Sequence, residues 1–212
     1  METELKLAVS VEQVEAIKKL SLLQKYGAGA VQERHLVSTY FDTPALELHE
    51  QKVSLRIRDK EDGWVRTVKT AGSSERGLHR RNEFEVPLSK PELDLELLDQ
   101  LGIEVISQAI RQHRLQPLFV TDFVRSLWIL EAPQGGSVEF AVDLGEVRLY
   151  EPSDNVSVSP ISEIELELTT TDEHADPAFL FLLADEIRAA GIEITPDDES
   201  KAARGYRLNA VL

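Results

Sequence analysis

Polar and apolar residues alternate along much of the chain, which is the pattern of β-strands with two different faces. The first predicted strand covers Glu2–Val9, and the later segments with this pattern are HLVSTYF, VSLRIRD, WVRTVKT, HRRNEFEVPL, LFVTDFVRSLWIL, SVEFAVDL, EVRLY and ISEIELELT. The turn-rich stretches KEDG and AGSSERG separate some of these segments, and APQGG is a predicted hairpin turn. The pattern therefore predicts about nine strands.

Helical spacing is confined to a few parts of the chain. Ser10 is a predicted N-cap, Gln13 is placed to close a capping box, and apolar residues then recur at helical spacing as far as Leu20. Residues 91–101, 105–113 and the segment SKAARGY are shorter candidates, and a long helix is expected to begin at Asp176 or its neighbour. No repeat or low-complexity linker divides the chain. A β-rich α+β fold is expected, as one antiparallel barrel or sandwich with helices outside.

Composition narrows the class of protein. The chain has 212 residues, of which 42% are apolar and 29% charged, as in soluble globular proteins. No apolar run approaches the length of a membrane span and the N-terminus lacks the order of a secretory signal, so a cytoplasmic location is expected. Cysteine is absent, which excludes disulfides, thiolate catalysis and cysteine–zinc sites.

The formal net charge of −15 bears on the choice of partner. Such a chain should repel nucleic acid and anionic membranes, so neither is an expected partner. An anion could bind only where basic residues are gathered in a sheltered place, or where metal ions lie between the charges.

One face of most predicted strands is charged. Any single charged face is more often the wet side of a sheet, but the same bias recurs in six strands. Two arginines at i and i+2 are spaced about 7 Å apart, which suits successive phosphates. The recurrence favours a barrel with charged side chains in its lumen. The residues in this pattern are Glu2, Glu4, Lys6, Arg56, Arg58, Lys69, Arg81, Glu83, Glu85, Arg125, Asp143, Glu163, Glu165 and Glu167.

A set of motifs resembles those of the CYTH, or triphosphate tunnel metalloenzyme, family. They are most similar to the motifs of its bacterial inorganic triphosphatases. In order they are ETELK, STYFDTPALEL, LRIR, TVK, RNEFE, TDFVR, VDLGEV, EIELEL and SKAARGY, so that the resemblance runs from Glu2 to Tyr206. It implies a closed antiparallel β-barrel of about eight strands that forms a charged tunnel, with helices packed outside. It also implies a small-molecule triphosphate substrate and two divalent ions, Mg²⁺ or Mn²⁺. Residues 1–212 would be one tunnel domain, either alone or as the N-terminal part of a protein with a CHAD domain.

The resemblance implies roles for individual residues. The catalytic set would be Glu2, Glu4, Lys6 and Lys201. The substrate-binding set would be Lys6, Arg56, Arg58, Lys69, Arg81, Arg125 and Lys201. The metal-binding set would be Glu2, Glu4, Asp143, Glu165 and Glu167, with Glu83 and Glu85 as further acidic lining.

Several of these assignments have alternatives. Lys201 lies on a predicted helix and would close over substrate, or else would be a solvated lysine. A shift of one residue in the strand register would place Arg80, instead of Arg81, on the lumen face. Glu83 and Glu163 could each pair with a neighbouring arginine or bind metal. Asp42 and Thr43 are expected to form a turn before Pro44.

The leading functional prediction is an inorganic triphosphatase that cleaves tripolyphosphate to pyrophosphate and phosphate. Thiamine triphosphatase, class IV adenylate cyclase and RNA 5′-triphosphatase activities also occur in this fold, and the net charge disfavours the last. A non-catalytic polyphosphate-binding module is an alternative of a different class. The repeated carboxylates favour catalysis over that alternative, because without metal they would only repel a polyanion. An acidic scaffold without a ligand would require the charged faces to lie on the surface. Oligomeric state is not predicted.

Overall fold

A single antiparallel sheet organises the chain. The computed structural model describes residues 1–60, 63–150, 158–169 and 176–209. Nine strands lie within these residues: β1 (Glu2–Val9), β2 (Gln32–Asp42), β3 (Ser54–Asp59), β4 (Trp64–Glu75), β5 (Leu78–Leu88), β6 (Gln116–Glu131), β7 (Ser137–Leu149), β8 (Val158–Leu168) and β9 (Ile194–Pro196).

The sheet closes on itself. The hydrogen-bonded order is β5-β4-β3-β2-β6-β7-β8-β1-β9, and β1 also pairs with β5. Glu2 lies opposite Arg81 in that closing pair, whereas the other edge of β1 places Glu4 opposite Glu167. Eight strands therefore form a closed barrel, and the short β9 extends the sheet beside the end of β1. The predicted fold class is confirmed.

Seven short to medium helices connect or cover the strands in the described part of the chain. They are α1 (Val14–Ile17), α2 (Ser21–Lys25), α3 (Glu47–Glu50), α4 (Leu95–Asp99), α5 (Glu104–Arg111), α6 (Ala178–Ala189) and α7 (Lys201–Asn209), and a 3₁₀ turn at Val11–Gln13 precedes α1. No helix among these residues is long and apolar enough to cross a bilayer.

Two apolar clusters lie on the outside of the barrel. In the first, α6 packs Leu180 and Leu183 against strand residues such as Leu5, Leu7 and Phe140. In the second, residues of α4 and α5 cover Leu55 and Val68. Each of these strand residues alternates with a charged neighbour, so the apolar face of the sheet turns outward toward helices and the charged face turns inward.

The third cluster lies inside the barrel, at one end. Its strand members include Tyr40, Phe119 and Phe123, whose side chains fall on the inward face, and α7 supplies Tyr206 to it. Tyr206 packs edge-on against Phe119 with ring centroids 5.1 Å apart. A Cβ on Gly205 would lie 2.2 Å from the Phe119 ring, so only glycine permits this approach of α7. Whereas α4, α5 and α6 pack outside, α7 closes one end of the lumen.

Two expectations about strand ends were wrong. SVEFAVDL and EVRLY belong to one strand, β7, which continues through Gly145. A Cβ at position 145 would lie 2.1 Å from the Asp122 carbonyl oxygen, so glycine allows β6 and β7 to approach each other here. AGSSERG is strand as far as Glu75, with the turn at Arg76 and Gly77, whose φ angles of 53° and 80° suit a tight hairpin. The KEDG turn lies partly outside the described residues.

The expectation about the first helix needs correction, whereas the turn after Asp42 and Thr43 is present, with a backbone hydrogen bond from Leu46 to Thr43. The first predicted helix is broken into the 3₁₀ turn, α1 and α2, and the Ser10 side chain forms no cap hydrogen bond. Asp42 is more than a turn former. Its buried carboxylate accepts hydrogen bonds from the backbone N–H groups of Thr43, Leu48 and His49 and from the Tyr206 hydroxyl at 3.0 Å. Asp42 therefore fastens α7 to the barrel.

Candidate functional site

The barrel lumen contains a charged cavity of about 480 Å³. Nine basic and seven acidic described side chains line it, although the chain as a whole carries a net charge of −15. The lining includes these sequence-predicted site residues: Glu2, Glu4, Lys6, Arg56, Arg58, Lys69, Arg81, Glu83, Glu85, Arg125, Glu165, Glu167 and Lys201. Asp143 does not line the cavity; it is fully buried behind Arg125. The structure thus gathers cations in a sheltered place, as the charge balance requires of an anion site.

Strand β3 supplies two buried arginines. Arg56 and Arg58 alternate with apolar Leu55 and Ile57, so both guanidinium groups turn inward. Arg56 donates to the Tyr40 hydroxyl at 3.3 Å and lies 3.6 Å from a carboxylate oxygen of Glu83.

Arg58 differs from Arg56 in its charge environment. It donates to the Ser38 hydroxyl at 3.0 Å, and no described carboxylate pairs with it. Burial, with the positive charges of Arg56 and Arg125 nearby, lowers the pKa of Arg58 to about 10. Arg58 therefore has no ion-pair partner among the described residues, as expected where an anionic ligand belongs.

Three carboxylates meet at the junction of β1 and β8. Oxygen atoms of Glu2, Glu4 and Glu167 lie within 4.8 Å of one another. Burial and the charges of Glu2 and Glu4 raise the pKa of Glu167 to about 8. Glu167 forms no ion pair with a described residue, and carboxylate oxygens are the ligands that Mg²⁺ and Mn²⁺ prefer. These three residues fit a divalent cation.

Cations on β4 and β5 hold two of these carboxylates in place. Lys69 contacts Glu2 at 2.7 Å, and Arg81 contacts Glu2 at 3.1 Å and Glu4 at 2.8 Å. Burial acts to raise the pKa of Glu2, but Lys69 and Arg81 bring it down to about 2. Of the two adjacent arginines, Arg81 is the one whose side chain lies in the lumen.

The further acidic lining lies on β5. Glu83 contacts Lys69 at 3.0 Å, yet burial and the charge of Glu2 raise its pKa. Burial also acts to raise the pKa of Glu85, but Lys60 and a hydrogen bond from Thr67 lower it.

A second acidic group, Asp143, Glu163 and Glu165, surrounds Lys201. The Lys201 ammonium contacts Asp143 at 2.6 Å, Glu165 at 2.8 Å and also Glu163. Arg125 binds both oxygens of Asp143, at 2.8 and 2.7 Å, and pairs with Glu165. Although burial opposes it, these carboxylates raise the pKa of Lys201. Lys201 is therefore a buried charged group rather than a solvated helix lysine.

The two predicted ligands Asp143 and Glu165 are thus engaged by cations of the chain itself. Glu163 pairs with Lys201 and, at 2.6 Å, with Arg204. A second metal ion at this group would have to displace the Lys201 ammonium.

The family model described as the CYTH domain matches residues 1–206. The chain belongs to the CYTH family. It is 34% identical over 213 residues to an inorganic triphosphatase of Haemophilus influenzae, a match that covers 99% of this chain and 55% of that protein. It is also 30% identical over 191 residues to an uncharacterized protein of Mycobacterium tuberculosis, covering 84% of this chain and 34% of that one. The chain therefore spans about half the length, or less, of these relatives.

Solved structures share the CYTH barrel. A putative adenylyl cyclase from Hippeastrum, described as having a dominant triphosphatase activity, superposes with a TM-score of 0.66 at 21% identity. That match covers 99% of this chain and 97% of the other. A putative adenylate cyclase from Bacillus halodurans superposes with a TM-score of 0.59 at 23% identity, covering 96% of each chain. At these identities the likeness establishes the fold.

Four charged residues in or beside the lumen cavity were not among the residues predicted from the sequence. Arg34, Lys60 and Glu139 line the cavity, and Arg204 supports it from α7. Each had a periodic signal: Lys60 follows Arg58 at strand spacing, Glu139 precedes Asp143 by four residues, and Arg204 follows Lys201 by one helical turn. Arg34 was not predicted as a lining residue because β2 begins at Gln32, before the segment that was predicted as a strand.

Proposed function

We propose that the protein is a metal-dependent inorganic triphosphatase that hydrolyses tripolyphosphate to pyrophosphate and orthophosphate in the barrel lumen. The observation that carries this proposal is that one cavity holds a buried arginine and a partly buried carboxyl group, and neither has an oppositely charged partner among the described residues. Arg58 is buried without a carboxylate partner among the described residues, and Glu167 has a pKa raised by burial and by Glu2 and Glu4. A polyphosphate with a divalent cation would satisfy both.

The basic residues would bind and orient the substrate. Arg56 and Arg58 present fixed, forked donors, which suit the oxygens of neighbouring phosphates. Tyr40 and Ser38 hold these two guanidinium groups by accepting hydrogen bonds from them, so little reorganisation is needed when substrate binds. Lys6, which is buried and donates to the Glu199 carbonyl oxygen at 2.8 Å, would add a point charge.

Glu2, Glu4 and Glu167 would hold the cation. When bound, a divalent ion neutralises phosphate charge and polarises a phosphoryl oxygen as a Lewis acid. In the reaction, water adds to a terminal phosphorus, the bond from that phosphorus to the bridging oxygen breaks, and pyrophosphate leaves as the water loses a proton. The chain's part is to align the phosphates, to spread the developing negative charge over arginines and to shield the site.

Two further findings support inorganic triphosphate as the substrate. The relative from Haemophilus influenzae that matches 99% of this chain is named an inorganic triphosphatase. In addition, Tyr40 is the one aromatic residue among the described lining residues, and it is only 4% exposed and stacks on Phe119, so it offers little surface to a nucleobase.

The experiment is phosphate release from tripolyphosphate, ATP and thiamine triphosphate, each with Mg²⁺, with Mn²⁺ and with EDTA. We expect the fastest release from tripolyphosphate and none with EDTA. Glu4→Gln keeps an acceptor for Arg81 but removes a cation ligand, so release should fall to the level found with EDTA. Glu15→Gln, at an exposed position outside the cavity, is the matched control.

Other results would point to other functions. Formation of cyclic AMP from ATP would indicate a cyclase, and faster release from thiamine triphosphate would change the substrate. Tight tripolyphosphate binding without any release would leave a polyphosphate-binding module and contradict the proposal.

A further inference from the structure

A second cavity, of about 430 Å³, adjoins the lumen. We call it the wall opening. It shares five lining residues with the lumen cavity, namely Ser54, Lys69, Arg81, Ser200 and Ala202. The two spaces therefore meet directly beside the residues that hold Glu2.

The wall opening lies at an irregularity of the barrel wall. The pairing of β4 with β5 passes from Lys69–Glu83 directly to Gly72–Arg81, which leaves Thr70 and Ala71 without partners on β5. Arg80 and Arg81 both line the opening, although adjacent residues of a strand point to opposite faces. Exposed Lys52 and the lumen residues Lys69 and Arg81 line the same cavity, which therefore extends from the lumen to the protein surface.

The charges of the wall opening favour an anion. Lys69 and Arg81 are already paired with Glu2, but Lys52 and Arg80 form no ion pair with any described residue. The Nε atom of Arg80 is buried and has no hydrogen-bond partner in the described structure.

The single described acidic residue of the wall opening is Asp198. Its Oδ1 atom already accepts hydrogen bonds from the Ser74 hydroxyl at 2.7 Å and the Gly77 N–H at 2.8 Å. In a chain of net charge −15, a buried Arg80 Nε without a partner beside the lumen cavity favours an anionic ligand there, and exposed Lys52 adds positive charge.

We propose that the wall opening binds the phosphates beyond the third of a linear polyphosphate whose first three units lie in the lumen. This inference rests on the proposed function and extends its substrate class to longer inorganic chains. A linear polyphosphate is unbranched and carries negative charge on every unit, so it suits a cavity lined by Lys52 and Arg80.

The test compares chain lengths by calorimetric binding in EDTA at low ionic strength, which needs no catalysis. The ligands are tripolyphosphate, a longer linear polyphosphate and orthophosphate, and the variant is Lys52→Gln/Arg80→Gln. Lys90→Gln/Arg111→Gln is the control, because it removes the same charge at exposed ion pairs outside both cavities. We expect the variant to weaken binding of the longer chain about five- to tenfold and that of tripolyphosphate less than about twofold. The control variant should leave the affinity for both ligands unchanged.

Equal weakening for both chain lengths, or no weakening, would overturn the inference. So would a loss confined to orthophosphate, which would indicate a site for free anions. Phosphate release from tripolyphosphate by the wild-type protein is measured in parallel. If phosphate is released but Lys52→Gln/Arg80→Gln weakens binding of both chain lengths equally, the wall-opening inference alone is refuted. If the variant selectively weakens binding of the longer chain but no phosphate is released, the triphosphatase proposal is refuted and the wall-opening inference stands.

Discussion

Protonation of Glu167 should make cation binding strongly dependent on pH. Burial and the neighbouring Glu2 and Glu4 raise its pKa to about 8, whereas Glu2 is ionised well below neutral pH because its pKa is about 2. At pH 7 about one molecule in eleven has an ionised Glu167, and a cation must displace the proton in the rest.

The expected magnitude follows from that pKa. The apparent affinity for Mn²⁺ should fall by about 90-fold between pH 9 and pH 6, approaching tenfold per unit at the acidic end, and near pH 7 close to one proton should be released per ion. Titration with Mn²⁺ at four pH values, with calorimetry in two buffers of different ionisation enthalpy, measures both quantities.

Two variants isolate the cause. Glu167→Gln cannot release the proton, so its affinity should be weak and nearly independent of pH over this range. Glu85→Gln is the control, since Glu85 lies in the same lumen but has a lowered pKa. The reasoning is refuted if wild-type affinity differs less than about threefold between pH 6 and pH 9, or if Glu167→Gln keeps the wild-type slope.

Three further predictions concern stability and are measured by urea denaturation. Lys201→Met removes the ammonium from Asp143, Glu163 and Glu165 and should cost about 3–5 kcal/mol at neutral pH; an unchanged midpoint would contradict the buried ion network. Gly205→Ala places a Cβ 2.2 Å from the Phe119 ring and should cost about 1–3 kcal/mol, so a variant as stable as wild type would mean that α7 does not pack there. Tyr206→Phe removes a donor from buried Asp42 and should cost about 1–3 kcal/mol, while Tyr150→Phe, at a 44% exposed position, should be neutral; equal effects would argue against the Asp42 contact.

Much of the lumen could be predicted because strand alternation is local. Glu2, Glu4 and Lys6 share a face in any extended strand, and so do Arg56 and Arg58. Once the apolar faces are assigned to the helices, the charged faces must turn inward. Sequence alone could not show that Arg81, rather than Arg80, faces the lumen. That depends on the pairing of β5 with β1, and neither strand's own sequence determines the register between them.

The state of each charge was beyond sequence reasoning. Arg58 and Arg125 are the same residue type on the same inward face, yet Arg58 lacks a carboxylate partner among the described residues and Arg125 has Asp143 and Glu165. That difference depends on which strands meet across the barrel. The position of α7 could not be predicted either, because apolar residues such as Tyr206 and Leu208 occur both in helices that pack outside a barrel and in helices that close its end.

The most direct measurement follows tripolyphosphate by phosphorus NMR in the presence of the protein, with Mg²⁺ and then with EDTA. The account predicts that with Mg²⁺ the tripolyphosphate resonances are replaced by pyrophosphate and orthophosphate in equal amounts, and that EDTA stops the conversion. Resonances that broaden through binding but never give products, with either addition, would contradict it.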